Sequence, residues 1–324
     1  MTFARRGIAR FVIVRVLLGV ATLVAVSIVV FTSTQVLPGD PARAKLGRNA
    51  QPAAVAAINQ QLGLDRPAAV QYADWVGGLV HGDLGESLTS QRPIWDDLSS
   101  RLENSAFLVL VAALISIPLA IVIGVLSALW RDGLFDEGMS FLQRALSSVP
   151  EFVVGLLLIA LFATSVFRLL PAVSIVPPGV HPWDVWEKLW LPTATLVAAV
   201  TPNVALIVRA AMIEVLESEY VEMARLKGVP EREVLLWHAL PNALGPTFQV
   251  IALNLAYLAG GVIVVESVFS YSGIGVALRD AVTNRDFTTV QAIAMIIAAV
   301  YVVTNLLADI ATILVTPRLR TRLR

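Results

Sequence analysis

The lysines of this sequence indicate whether the chain contains a nucleotide-binding phosphate loop. A Walker-type phosphate loop needs Gly-Lys followed by Ser or Thr, because the lysine reaches the phosphates and the hydroxyl binds Mg²⁺. The chain has three lysines, Lys45, Lys188 and Lys227, and Leu, Leu and Gly follow them. We therefore predict that this chain does not hydrolyse ATP by that route.

The histidines and cysteines limit other chemistry. There are three histidines, His81, His181 and His238, and no His-Glu-x-x-His helix. The chain has no cysteine, which excludes disulfides, cysteine-based zinc sites and thiol catalysis. Glu266 and Asp309 are conceivable as an intramembrane carboxylate pair, but a single polar residue within a helix bundle is the favoured interpretation of each. We predict no catalytic residue, no metal site and no cofactor in this chain, and hence no enzyme.

The composition places the chain in a bilayer. Of its 324 residues, 57% are hydrophobic and 15% charged, and the mean hydropathy is +0.76. Soluble domains carry about 25% charged residues, so this chain has too little polar surface to cover itself in water. The net charge is zero, which gives no support for nucleic acid as a partner.

The apolar runs predict an all-α polytopic membrane protein with six transmembrane helices, since about 20 apolar residues cross a bilayer. Residues 1–36 contain the first span, 37–105 form an external helical subdomain, 106–316 form a five-span core, and 317–324 form a basic tail. Within the subdomain we expect helices at Ala53–Leu62 and Pro67–Leu79 and a turn at Gly82–Gly85. The predicted spans are Val16–Val36, Ala106–Trp130, Phe141–Phe167, Pro192–Met212, Thr247–Val268 and Val290–Val315.

Polar side chains inside these spans are candidates for a solute pathway. A carboxylate at the centre of a span costs roughly 2.5–3.5 kcal/mol, so such groups line a water-filled path or bond across helices. For Glu266 we hypothesise a gate or packing role at the external mouth, with structural packing as plausible as substrate contact, whereas an interhelical bond is favoured for Asp309. Gly260 and Gly261 allow close helix packing, within this chain or against a second subunit. The pathway or gate candidates are Asn203, Asn254, Glu266 and Asn305.

The stretch Glu219–Pro246, hereafter the 219–246 segment, is polar although apolar runs flank it. Glu219–Lys227 contains good helix formers, and Gly228 is a natural helix stop. Pro230 fits the first turn of a second helix, which would place Val234, Trp237, His238 and Pro241 on one side and end at Pro241 and Pro246. A bare connector rarely needs such helices, so we interpret the segment as a docking surface.

The segment resembles the EAA motif of the membrane permeases of ABC importers. Glu222 and Ala224 are followed at the motif's spacing by Gly228 and by Leu240-Pro241. Met223 replaces the first Ala of the motif. His238 departs from its Ile, but His is expected there in the dipeptide/oligopeptide/nickel permeases. The phrases Leu37–Pro41, Leu62–Pro67 and Gly82–Ser87, and the tail Thr316–Arg320, also resemble that family, with Thr316 in place of its Asp.

This resemblance implies a heteromeric machine in the bacterial cytoplasmic (inner) membrane. Two homologous permease subunits form one pathway, two ABC ATPases bind ATP and Mg²⁺ inside the cell, and an extracytoplasmic binding protein delivers peptides or a related small solute. The segment would be the coupling helix that meets the ATPase, and alternating access would move the solute. The implied coupling residues are Tyr220, Glu222, Ala224, Arg225, Lys227, Gly228, His238 and Pro241.

The basic residues give an orientation that agrees with the resemblance. With both termini cytoplasmic, 14 of the 24 Lys and Arg residues lie inside, and six of the ten outside lie in the long segment after the first span. Long segments weigh little in the positive-inside rule, so the short loops carry a firm inward bias. The 219–246 segment then faces the cytoplasm.

Two alternatives from other classes remain open at this stage. An ion-coupled secondary transporter would show inverted repeats and have no need of the 219–246 segment, and we see no clear internal repeat. A membrane enzyme would need a convergent catalytic cluster, and none stands out. Deletion of Glu222–Gly228 would remove ATPase capture in a pull-down only for an importer permease.

Overall fold

The computed structural model describes residues 2–36, 51–53, 60 and 65–315. The predicted helix Ala53–Leu62 lies almost entirely outside these residues, as does the tail 317–324. Within the described ranges, the only β-type pairing is a single bridge between Glu86 and Pro93. The helices are α1 Thr2–Val36, α2 Ala68–Val80, α3 Ile94–Leu129, α4 Leu134–Ser147, α5 Glu151–Ile159, α6 Trp190–Leu216, α7 Glu219–Leu226, α8 Glu231–Glu233, α9 Leu240–Phe269, α10 Ile274–Thr283 and α11 Phe287–Val315.

Three shorter helical turns complete the described chain. Wide π-type turns occur at Ala160–Thr164, after α5, and at Val234–Ala239, between α8 and α9. A 3₁₀ segment, Pro182–Lys188, precedes α6. Left-handed glycines at Gly82 and Gly85 form the predicted turn between α2 and α3.

The length and apolar character of the helices confirm an all-α polytopic membrane protein. Four described helical stretches are long and apolar enough to cross a bilayer: Arg10–Gln35, Ile94–Leu129, Trp190–Leu216 and Phe287–Ile310. Two bent helix pairs raise the number to six if each pair counts as one span. They are Leu134–Ser147 with Glu151–Thr164, and Leu253–Phe269 with Ile274–Thr283.

The third predicted span was wrong as a single helix. Phe141–Phe167 contains the break between α4 and α5, where the two helices meet at 104°. Pro150 lies at this break, immediately before α5. Proline disfavours the helical conformation of the residue before it and has no N–H to continue the preceding helix. An apolar stretch of span length therefore becomes a helical corner.

The centre of the bundle is the contact between α3 and α6. Gly124 of α3 lies so near α6 that an added Cβ atom would be 2.6 Å from the Ala205 carbonyl oxygen. Leu108, Leu196 and Val208 are fully or almost fully buried beside this contact. Of the pair Gly260 and Gly261, a Cβ built at Gly261 would lie 3.7 Å from a Glu151 carboxylate oxygen of α5, whereas no described atom lies within 4 Å of a Cβ built at Gly260.

α1 is held against α11 by polar contacts near both ends. The Arg15 guanidinium pairs with Asp309 at 3.1 Å, so the predicted interhelical bond of Asp309 is present. Gln291 donates to the Thr34 hydroxyl at 2.6 Å. α2 packs beside α1 through ring contacts of Tyr72 with Phe31, and the predicted helix Pro67–Leu79 corresponds to α2.

Candidate functional site

The 219–246 segment begins with a helix whose end matches the sequence prediction. Gly228 has φ +79°, and its N–H donates to the Arg225 carbonyl at 2.9 Å. The Val229 N–H donates to the Ala224 carbonyl at 3.2 Å. These two bonds form a Schellman motif, which satisfies the last carbonyls of a helix and requires a left-handed residue. Gly228 therefore ends α7 and turns the chain towards α8.

A small apolar core lies inside the turn. Val221, Ala224 and Val234 are buried together, and Val215 and Val229 pack against them. This core joins α7 to the turn that follows α8. Ala224, a position of the EAA-type motif, is therefore a packing residue of the segment.

An ion pair joins the two sides of the turn at Gly228. The Arg225 guanidinium donates to both carboxylate oxygens of Glu231, at 3.1 and 2.6 Å, and also to the Leu216 carbonyl at 3.4 Å. The hydrogen bond from Arg225 lowers the pKa of Glu231, against an opposing contribution from burial. The same bond raises the pKa of Arg225. Arg225 thus fixes the turn through its own side chain.

The predicted end of the second helix was wrong. α9 starts at Leu240 and continues through Pro241 and position 246 to Phe269. Pro241 cannot donate a helical hydrogen bond, and the wide turn Val234–Ala239 directly before it accommodates the proline. The His238 carbonyl accepts from the Tyr220 hydroxyl at 2.9 Å and from the Asn242 side-chain amide at 2.7 Å.

The wide turn also changes which residues share a face. Val234 is fully buried, whereas the side chain of Trp237 is 77% exposed. The expected common side of Val234, Trp237, His238 and Pro241 is therefore wrong, because a turn with i to i+5 bonding shifts the three-to-four spacing of an α-helix. Trp237 points away from the segment's own core.

Sequence reasoning missed the apolar residues that the segment leaves exposed. Leu226 is 74% exposed, Met223 is 57% exposed, and Trp237 lies on the same segment. Meanwhile Tyr220 and Arg225, predicted as coupling residues, bond within the segment, and Glu222 and Lys227 are exposed. Large apolar side chains among the charges of a polar segment are the sequence signal that could have found this surface.

The other polar centre lies at the opposite end of α9. Glu266 is fully buried; its carboxylate accepts from the Ser105 hydroxyl at 2.5 Å and from the Gly275 N–H at 2.7 Å. The Ile274 N–H donates to the Ser105 oxygen at 2.9 Å. A Cβ atom on Gly273 would be 2.1 Å from the Glu266 carboxylate, so only glycine fits there. We call Glu266–Gly275 with Ser105 the α9–α10 junction.

Further bonds tie the junction to α3 and to the loop before α6. Ser270 ends α9 with φ 50°. The Asn104 amide donates to the Ser272 carbonyl, and the Tyr271 hydroxyl donates to the Asn104 carbonyl, each at 2.8 Å. The Ser272 hydroxyl donates to the Val176 carbonyl at 3.0 Å. The junction is thus a fixed meeting point of three parts of the chain.

The remaining pathway candidates make local contacts. Asn254 donates to Val250 and Asn305 to Tyr301, each within its own helix at 2.9 Å. Asn203 accepts from the Ser147 hydroxyl of α4 at 3.2 Å. Among the contacts that the structure describes, none joins two of the four predicted residues Asn203, Asn254, Glu266 and Asn305. Their pathway role stays a prediction.

A buried ion pair was also missed by sequence reasoning. Asp136 of α4 is almost fully buried, and Arg209 of α6 donates to its two oxygens at 2.5 and 2.6 Å. The Asp132 N–H adds a bond at 3.0 Å. A cation within a membrane span usually pairs with a carboxylate. The presence of Arg209 in a predicted span could therefore have predicted this ion pair. Among the described residues, no three His, Asp or Glu side chains form a cluster that would hold a metal ion.

These features define the class of protein, a helical membrane protein with a polar helical segment between apolar helices. Comparison with known sequences gives its family. Residues 120–321 match the family described as binding-protein-dependent transport system inner membrane component. Residues 8–109 match the N-terminal region of such membrane components. The chain belongs to this family of ABC importer permeases of the bacterial inner membrane. Family membership does not favour the secondary-transporter alternative.

Curated relatives align over nearly the full chain. A probable peptide ABC transporter permease protein, y4tP of Sinorhizobium fredii, is 36% identical over 313 residues, covering 96% of this chain and 99% of the relative. The glutathione transport system permease protein GsiC of Pectobacterium atrosepticum is 36% identical, covering 93% and 95%. GsiC of Escherichia coli K12 is 34% identical, covering 96% and 98%.

Proposed function

We propose that this permease forms half of the pathway of an ATP-driven importer of short peptides, and that its 219–246 segment docks on a partner ATPase. The observation that carries the docking proposal is the exposure of Met223, Leu226 and Trp237 on a segment that bonds its main polar groups internally. Exposed apolar clusters with polar surroundings mark protein-binding surfaces, and a large aromatic residue is the usual anchor of such a surface.

The proposed orientation places both termini and the 219–246 segment in the cytoplasm. The inward bias of Lys and Arg in short loops supports it. Arg131 and Glu217 form an ion pair at the end of α3 and α6 nearest the segment, and the Asp136–Arg209 pair lies next to this end. The subdomain before α3 and the α9–α10 junction then face the outside, where a binding protein would deliver solute.

The proposed assembly contains a second homologous permease, two ATPases that bind ATP and Mg²⁺, and an extracytoplasmic binding protein. Gly260 supports the second permease: it is exposed, and no described atom of this chain lies within 4 Å of a Cβ built there. Small residues at exposed positions of membrane helices allow a second helix to approach closely. The lipid bilayer surrounds the remaining exposed apolar faces.

The proposed solute is a short peptide, and the support is comparative. The relatives named above are a probable peptide permease and glutathione permeases, and glutathione is itself a short peptide. In the proposed cycle, ATP binding draws the ATPases together and shifts the docked segment, and the pathway alternates between inward-open and outward-open. Such a cycle requires that the ATPase contacts of the segment differ in free energy between the two states.

The docking proposal is tested by capture of the ATPase. Trp237→Ser and Leu226→Ser, made together, are expected to reduce co-purification of the ATPase at least tenfold, since truncated anchor residues often cost 2 kcal/mol or more. Leu134→Ser is the matched control, because Leu134 is an exposed leucine outside the segment. Equal ATPase recovery from the double variant and from the control would contradict the proposal.

A further inference from the structure

A cavity of about 580 Å³ opens at the end of the bundle that carries the α9–α10 junction. The first turns of α3, the loop at 175–180, and α10 with the loop after it form its walls. Its volume lies within the range of about 300–1,000 Å³ typical of small-molecule sites. The charged residues of these walls include Asp96, Asp97 and Arg101, all on α3.

Arg101 stands out among the charged residues of these walls. It is half-buried, yet it makes no hydrogen bond or ion pair to any residue that the structure describes. A guanidinium carries five N–H donors in a planar fork that matches a carboxylate. A half-buried guanidinium beside a cavity can therefore donate to the carboxylate of a bound ligand.

Three other acidic residues at or near these walls, Asp280, Asp286 and Glu266, are engaged by other groups. Asp280 pairs with Arg279 at 3.0 Å, and Asp286 accepts from the Ser87 hydroxyl at 2.5 Å. The buried Glu266 attracts Arg101 electrostatically, but its oxygens are bonded to Ser105 and to the Gly275 N–H. None of these carboxylates satisfies the Arg101 donors.

Two acidic residues belong to the same walls. Asp96 and Asp97, in the first turn of α3, line the cavity and are exposed, with Asp97 receiving only a 3.3 Å bond from Ser90. The cavity therefore offers a cation and two carboxylates to one occupant.

The spacing of the two residues on α3 is compatible with a short occupant. Asp96 and Arg101 are five residues apart, which corresponds to a rise of about 7.5 Å between their backbones along the helix axis. An extended chain advances about 3.3–3.6 Å per residue, so two or three residues separate a peptide's ammonium from its carboxylate by a comparable distance.

We propose that this cavity binds a short peptide, with the Arg101 fork on its terminal carboxylate and with Asp96 and Asp97 near its ammonium group. The inference rests on the proposed function, because it takes the transported solute class to be peptides. It assigns this subunit a peptide-binding site of its own, at the end of the bundle where solute would enter.

The test is direct binding of trialanine to the full-length permease in nanodiscs, measured by saturation-transfer NMR, with trialanine amide as the comparator. The unmodified permease is expected to bind trialanine about tenfold more tightly than the amide, since hydrogen bonds to a charged group contribute about 1.5–3 kcal/mol. Arg101→Gln is expected to abolish this preference, because the amide carries no charge, whereas Arg101→Lys is expected to weaken it, because an ammonium keeps the charge but loses the fork.

Arg92→Lys is the matched control, because Arg92 is an exposed arginine just before α3 that does not line the cavity. Equal binding of trialanine and its amide to the unmodified permease would overturn the proposal. Retention of the preference in Arg101→Gln would do the same, and would leave Arg101 as a counter-charge to Glu266. Where Arg101→Gln unfolds more easily than the unmodified protein, Arg101→Lys is used, and an undiminished preference in it would also contradict the proposal.

The binding assay contains no ATPase, so it is independent of the docking experiment. A permease that captures its ATPase but shows no preference for trialanine contradicts only the peptide site. A permease that shows the preference but fails to capture the ATPase contradicts only the docking proposal.

Discussion

The two ends of α9 use polar residues in different ways. In the 219–246 segment the polar bonds are local: Arg225 reaches Glu231, and Tyr220 reaches His238 only 18 residues on. At the α9–α10 junction, Glu266 meets Ser105, 161 residues away in sequence, and is fully buried. Local closure leaves apolar side chains of the first region exposed, whereas the second region holds distant helices of one chain together.

The largest effect is expected from Gly273→Ala, a substitution at the α9–α10 junction that tests how tightly this end of α9 is packed. The new methyl group would overlap the buried Glu266 carboxylate, so we expect unfolding to become easier by about 3 kcal/mol. Thermal unfolding in nanodiscs measures the change. Gly138→Ala is the control, because Gly138 lies in α4 with no described atom within 4 Å of its Cβ position. A Gly273→Ala protein as stable as the control would show that the Glu266 side chain can move to accommodate the methyl group.

Replacement of the junction carboxylate by an amide is expected to have the next largest effect. In Glu266→Gln, an NH₂ group replaces one of the two carboxylate oxygens. Each of these oxygens accepts one hydrogen bond, from the Ser105 hydroxyl or from the Gly275 N–H, so one of the two bonds is lost. Leaving a buried donor unpaired costs about 1–3 kcal/mol. We expect peptide uptake by proteoliposomes to fall several-fold at normal expression. Uptake equal to that of the unmodified protein would remove the proposed gate role of Glu266.

Gly228→Ala should have a smaller effect, confined to the 219–246 segment. No described atom would meet the added methyl group, so the cost comes only from the left-handed backbone, at about 1–2 kcal/mol. We expect faster amide hydrogen exchange between residues 219 and 239 and weaker ATPase capture. Exchange at the α9–α10 junction should stay unchanged, and a change there would show that the two ends are not energetically separate.

Acid should have the smallest effect, through the Arg225–Glu231 pair. The folded segment lowers the pKa of Glu231 from its usual value of 4.5, so the pair contributes its full stability above that value. The contribution is lost as the pH falls through the lowered pKa, and for an exposed pair it is about 0.2–1 kcal/mol. Hydrogen exchange of the segment between pH 5 and pH 3 measures it. Glu231→Gln should remove this pH dependence, and an unchanged profile would assign it to another group.

The sequence was sufficient for features that depend on neighbouring residues. The apolar runs identified the membrane class, and the stop at Gly228 followed from one residue's conformational freedom. The continuous helix across Pro241 could not be predicted. Pro241 alone signals a helix end, and the wide turn that accommodates it has no simple sequence pattern. The partners of Glu266 were equally out of reach, since Ser105 becomes its neighbour only after the bundle has packed.

The unbroken course of α9 has a mechanical consequence. Its 30 residues make a strut of about 45 Å, with Trp237 just beyond one end and Ser270 at the other. A strut of that length converts a tilt of about 5° into a sweep of about 4 Å at its far tip. A small rotation imposed by a neighbour at Trp237 would therefore be magnified before it reaches Ser270, where the chain first has a bend to absorb it.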